Sequence, residues 1–90
     1  MTLFQDDDEG YIGWVANNPE GYVLNCHKNR DKETHRIHRA TCDTITGQPA
    51  RGESWTHEFI KVCSPERSDL EIWVRQEVGE EPIFCPQCNA

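Results

Sequence analysis

No stretch of this 90-residue chain approaches the ~20 consecutive apolar residues that a membrane-spanning helix needs. The N-terminus, Met-Thr-Leu-Phe-Gln-Asp-Asp-Asp-Glu, has neither a basic segment nor an apolar segment, so it does not read as a secretory leader. No Asn-x-Ser/Thr acceptor occurs, and no internal repeat is visible. Apolar residues are scarce at 36%, and the mean hydropathy is -0.80. A single domain of this length buries roughly 60–65% of the surface its unfolded chain exposes, so a core this thin is marginal alone. The five cysteines are an odd number, and a closed disulfide framework would leave one over. Without a leader the expected setting is the reducing cytoplasm, where thiols stay free or bind metal. No Ser-His-Asp or paired-carboxylate constellation can be argued from the sequence.

Three Trp, three Phe and two Tyr nevertheless argue against disorder. A small polar domain short of core needs a staple, and five Cys with four His supply candidates. The expected organisation is a flexible acidic tail over 1–10 and a single zinc-binding domain over 11–90.

The local signals predict an α+β domain. Residues 11–16, 22–26, 34–37 and 55–62 read as strands, which would make a short antiparallel sheet of three or four strands. Asn17-Asn18-Pro19-Glu20-Gly21 is turn chemistry between the first two. Residues 39–46 suggest one or two helical turns stopped at Gly47, followed by a loop over 47–54. The main helix is C-terminal. Ser68-Asp-Leu-Glu71 has the spacing of a capping box, and Leu70, Trp73, Val74 and Val78 form one apolar stripe. Gly79 and Pro82 mark its end. Trp14 and Trp55 are candidates for exposed pairing surfaces, and His27, His35 and His57 read as loop histidines.

Charge is unevenly distributed. Lys28, Arg30, Lys32, Arg36 and Arg39 fall within 27–39, opposed there only by Asp31 and Glu33. That segment carries +3 and the remainder -10, which makes the net charge of -7. An acidic chain is repelled by nucleic acid unless one basic face leads, and this segment is the candidate face.

The chemistry lies in two short motifs. His38-Arg-Ala-Thr-Cys42 places an imidazole and a thiol four residues apart, and Cys85-Pro-Gln-Cys88 is a thiol knuckle. Zinc takes four such donors in a tetrahedron, so two pairs from distant parts of the chain would close one site and staple the fold. A redox reading of Cys85 and Cys88 is weaker, because no helix follows Cys88 to lower a thiol pKa. Cys26 and Cys63 read as buried thiols, with Cys63 in place of His38 as the alternative fourth ligand.

The order strand, His-x3-Cys, strand, capped helix, Cys-x2-Cys resembles the N-terminal metal-binding domains of the Ada DNA-repair superfamily, over roughly residues 21–89. The resemblance implies a zinc-stapled α+β fold with His38, Cys42, Cys85 and Cys88 as ligands, and company with DNA-handling systems. In that family the first ligand of the pattern is the methyl-accepting Cys. An imidazole at position 38 departs from it. Three functions are therefore in play. The first is a non-enzymatic zinc module that binds nucleic acid or a protein through the 27–39 loop. The second is a methyl acceptor using Cys42, Cys85 or Cys88. The third is a thiol-redox or metal-buffering protein. One zinc with three thiolates and one imidazole is a closed structural shell, so neither hydrolysis nor a small-molecule substrate is expected.

Overall fold

The computed structural model describes residues 1–46 and 54–90. The expected stop at Gly47, and all of the 47–54 loop except Ser54, lie outside them. The fold is α+β, built on a four-stranded antiparallel sheet of order β1-β4-β2-β3. Its strands are β1 (Thr2–Phe4), β2 (Tyr22–His27), β3 (Arg36–Arg39) and β4 (Phe59–Ser64). The helices are α1 (Asp8–Asn17), α2 (Asp43–Thr46) and α3 (Arg67–Trp73), which continues as a π turn over Val74–Val78.

β4 lies between β1 and β2, and positions 60–64 are all buried. Register pairs Val23 with both His38 and Cys63, and Asn25 with both Arg36 and Lys61. Because successive strand residues alternate faces, Val23, Asn25, His38, Lys61 and Cys63 share one side of the sheet. Leu24, Cys26, Ile37, Ile60 and Val62 share the other. On that second side they pack against Leu70, Val74 and Val78, which the expected stripe placed on one helix face. On the first side Val23 and Cys63 pack with Phe4, Tyr11 and Val15. The sheet is thus a middle layer with helices on both faces.

Several expectations are corrected. Residues 11–16 are not a strand but part of α1. Asp7 caps it, accepting the Gly10 amide at 3.0 Å, with Asp8 and Glu9 in the first turn, where acidic groups suit the helix dipole. Tyr11, Trp14 and Val15 recur at i, i+3, i+4. Gly10 and Gly13 lower the helix propensity of the run, which is why its pattern reads ambiguously. Residues 1–10 are not a loose tail either. Thr2, Leu3 and Phe4 pair with Cys63, Val62 and Lys61, and Phe4 is buried in the core.

The fourth strand begins later than expected, because residues 55–58 bend rather than extend. The third begins at Arg36 instead of Thr34. The capping box at Ser68 does not form, since Glu66 is the N-cap and makes no side-chain capping bond. Ser64 takes that role from four residues upstream, donating to Asp69 Oδ2 at 2.7 Å and accepting the Glu66 amide at 3.1 Å. Gly79 ends the helix with φ 80°, as its position suggested. Gly21 is required for close approach. A Cβ there would lie 2.7 Å from the Trp14 ring. Trp14 and Trp55 are half-buried against the core rather than free, and His35 is buried, its Nε2 3.1 Å from the Glu81 carbonyl oxygen.

Candidate metal centre

The donor atoms of His38, Cys42, Cys85 and Cys88 lie within 4.8 Å of one another, so the four could hold one metal ion. Three features of the chain bring them together. His38 sits on β3, facing the α1 side of the sheet. The chain turns after Arg39, with the Cys42 amide donating to the Arg39 carbonyl at 3.0 Å, and swings Cys42 back under the strand before α2 begins. The C-terminal segment then runs parallel beside β3. The Ile37 amide donates to the Ile83 carbonyl and the Cys85 amide to the Ile37 carbonyl, both at 2.8 Å. Cys85 therefore arrives next to His38 by backbone pairing.

The local electrostatics favour ligation at His38 and Cys85, while burial raises the Cys88 thiol. Burial, aided by Arg36 and Lys61, pushes the His38 imidazole down to about 4, so it is a neutral donor. Burial opposes ionisation of Cys85, but the amides of Cys88 and Gln87 and hydrogen bonds with Cys88 and Cys42 outweigh it and hold that thiol below its ordinary value. The Cys42 and Cys85 sulfurs are 4.0 Å apart, twice a disulfide bond length of about 2.05 Å, and none of the five cysteines is in a disulfide. Thr44 Oγ1 stands between two members of the group, 3.0 Å from Cys42 Sγ and 3.3 Å from His38 Nδ1. Arg39 closes the C-terminal turn. Its amide donates to Cys88 Sγ at 3.3 Å, and its guanidinium donates to the Cys88 and Asn89 carbonyls at 2.9 and 3.0 Å.

Cys63 is not in the group. It lies on the same face but one strand beyond Val23, and burial pushes it up to about 12 despite nearby Lys61. Cys26 is on the opposite face, and burial pushes its thiol up to about 11. Both are neutral core thiols.

The basic segment is brought onto acidic partners. Arg30 is 3.4 Å from Glu77, in the last turn of the C-terminal helix, and Lys32 is 3.7 Å from Glu80, just beyond it. Arg30 also lies over the Trp73 ring at 5.4 Å. His27 is 3.6 Å from Glu58. Arg39 is engaged at the thiol knuckle. Among the described residues Arg36 and Lys28 form no ion pair.

Two residues that sequence reasoning did not single out anchor the α1 side. Lys61 is buried in the sheet, its ammonium donating to Asn25 Oδ1 and the Trp55 carbonyl, each at 2.7 Å. Burial pushes it down to about 8. Asp8 accepts from the amides of Trp55 and Thr56 and from the hydroxyls of Ser54 and Thr56. A lysine on an alternating strand and an aspartate in an acidic run both read as surface residues, and only tertiary contacts reveal otherwise.

No protein-family model matches the chain, and comparison with curated sequences and with solved structures returns no match. Among the described residues, no helix is long and apolar enough to cross a membrane.

Proposed function

We propose that this chain is a small, non-enzymatic module stapled by one zinc ion, and that it recognises a protein partner. The observation that carries the reading is the convergence of one imidazole and three thiols from two distant segments. Tetrahedral zinc with arms of about 2.3 Å to sulfur has edges of about 3.8 Å, close to the 4.0 Å between Cys42 and Cys85. The donor set is that of a structural Cys3His site, which leaves no open position for water. When bound, zinc would tie β3, α2 and the C-terminus into one unit. The four residues present are enough to hold it. The Ada-type resemblance supports the same ligand set, while an imidazole at position 38 takes away the family's methyl-accepting thiolate.

The choice of a protein over nucleic acid rests on charge. Arg30 pairs with Glu77 and Lys32 with Glu80, Glu58 stands against His27, and Asp31 and Glu33 lie within the 27–39 segment, so five acidic side chains accompany its five basic ones. The surface they form together has no net charge, and the rest of the molecule is acidic. That favours a partner read by shape and local polarity over a polyanion.

Native mass spectrometry before and after a strong chelator, with circular dichroism alongside, tests the staple. One zinc per chain and loss of structure on its removal are expected. A folded chain without metal would overturn the reading. DNA affinity that falls steeply with salt, and is abolished in the Arg30→Ala, Arg36→Ala, Arg39→Ala triple variant, would replace the protein partner with nucleic acid.

A further inference from the structure

A recess of about 300 Å³ opens on the α1 side of the sheet, beside the candidate metal centre. This is the low end of the range that ligand sites occupy, room for a small group rather than a long one. Its polar lining comes from Asn25, Glu33, Thr34, Arg36 and Thr44, and its apolar wall from Ile45 and Phe59. His38 borders it on the metal side.

The polar groups have a common sense. Asn25 Oδ1 is held by the Lys61 ammonium at 2.7 Å, so the end of that amide with hydrogens to offer is its NH2. Lys61 itself is buried next to this floor and supplies a fixed positive charge behind it. Arg36 projects from β3 as an exposed guanidinium with no ion pair among the described residues, and its planar fork matches the two oxygens of a carboxylate. The Thr34 hydroxyl donates to the Asp31 carbonyl at 3.3 Å and the Thr44 hydroxyl faces Cys42 Sγ and His38 Nδ1, so Arg36 and Asn25 are the groups that offer donors to a ligand. Asn25 pairs with both Arg36 and Lys61, so donors and positive charge gather in one row across the sheet, and Ile45 and Phe59 add apolar wall to the same recess.

We infer that this recess binds the free C-terminal carboxylate of a partner peptide, with the carboxylate on Arg36 and Asn25 and an apolar last side chain against Phe59 and Ile45. Glu33 decides between oxyanions. It repels a phosphate dianion more strongly than a carboxylate monoanion, and it can accept the N–H that a peptide C-terminus carries next to its carboxylate. The inference rests on the protein-recognition reading above and names the partner's chemistry.

The test uses the zinc-loaded full chain and N-acetyl-leucine as probe, followed by amide chemical shifts in NMR. Saturable shifts at Asn25, Arg36 and Thr44 are expected. The uncharged analogue N-acetyl-leucinamide should bind about tenfold more weakly, as should N-acetyl-leucine to Arg36→Ala, since each removes a charge-assisted pair. Arg36→Lys should recover part of the loss. Inorganic phosphate should bind more weakly than the carboxylate. No saturable shift, equal binding of acid and amide, or tighter binding of phosphate would each overturn the inference. Any of these, seen with zinc still bound, would leave the metal staple standing. A folded chain that holds no zinc would instead overturn the zinc-staple reading above.

Discussion

The Cys85 amide donates to the Ile37 carbonyl at 2.8 Å, one residue from His38. A single backbone bond therefore couples the thiol knuckle to the strand that carries the imidazole. It also makes the two halves of the centre interdependent: a metal held by both motifs pins the C-terminus against β3. Cys85→Ser should therefore lose the metal and unfold the chain. Cys26→Ser should cost about 1 kcal/mol, because that thiol is a core filler whose Sγ–H donates to the His27 carbonyl at 3.4 Å, a bond a hydroxyl can keep. Metal content and urea denaturation of the two variants check this. Equal losses in both would mean that Cys85 is not a ligand.

Lys61 gives the α1 side of the sheet a distinctive pH dependence. Its folded pKa of about 8 is below its ordinary value of 10.5, so between those values the unfolded chain binds more protons. Stability from this residue accordingly rises with pH across that window. Cys63 and Cys26 are raised and act in the opposite sense, so the difference between wild type and a variant at position 61 is the readout rather than the absolute curve. The stability of wild type relative to Lys61→Met should increase by on the order of 2 kcal/mol from pH 8 to pH 10. Denaturation curves at each pH measure it, and a flat difference would mean that Lys61 titrates normally.

Asp8 ties the start of α1 to residues 54–56. Burial works against its carboxylate, but hydrogen bonds from Thr56, Trp55 and Ser54 outweigh that and hold it below the usual carboxylate range. Asp8→Ala leaves those donors without their acceptor and should cost about 2 kcal/mol at neutral pH. The sign with pH follows from the lowered value. The contribution is complete above the ordinary Asp pKa of about 4 and fades as pH falls through the lower folded value. The stability gap between wild type and Asp8→Asn should therefore narrow in acid, and thermal melts from pH 6 to pH 2.5 would show whether it does.

The sheet, the C-terminal helix and the four clustered donors were legible because each has a local signature. The apolar run at 22–26 and the alternating run at 55–62 lie close to β2 and β4, and Leu70, Val74 and Val78 share one helix face whatever the capping. His38, Cys42, Cys85 and Cys88 were found from spacing, since two pairs of donors are of little use until folding unites them. What escaped was decided by contacts far along the chain. α1 is stabilised by Tyr11 under the sheet, its hydroxyl donating to the Ile45 carbonyl at 2.8 Å, and by Asp8 on the 54–56 segment. Nothing within residues 11–16 records either partner. The charge of the 27–39 segment was likewise legible, but the pairing of Arg30 with Glu77 and of Lys32 with Glu80 was not, because those partners lie nearly fifty positions away.

Arg39 separates a positioning role from a charge role. As part of the basic segment it was a candidate contact to an external partner, yet its guanidinium spans the Cys88 and Asn89 carbonyls and its amide reaches Cys88 Sγ. Groups that orient a ligand in this way typically govern metal affinity by 10–100-fold. Arg39→Ala keeps the amide bond to the sulfur but loses both carbonyl bonds, so zinc affinity should fall about tenfold with one ion still bound per chain. Arg39→Lys should restore little of it, because an ammonium lacks the planar fork that holds two carbonyls at once. Arg36→Ala, which removes the same charge from the same strand, should leave zinc affinity unchanged. Competition against a chromophoric chelator measures all three. Equal losses in Arg39→Ala and Arg36→Ala would assign the effect to the local positive potential, and the clamp on the C-terminal turn would then have no part in holding the metal.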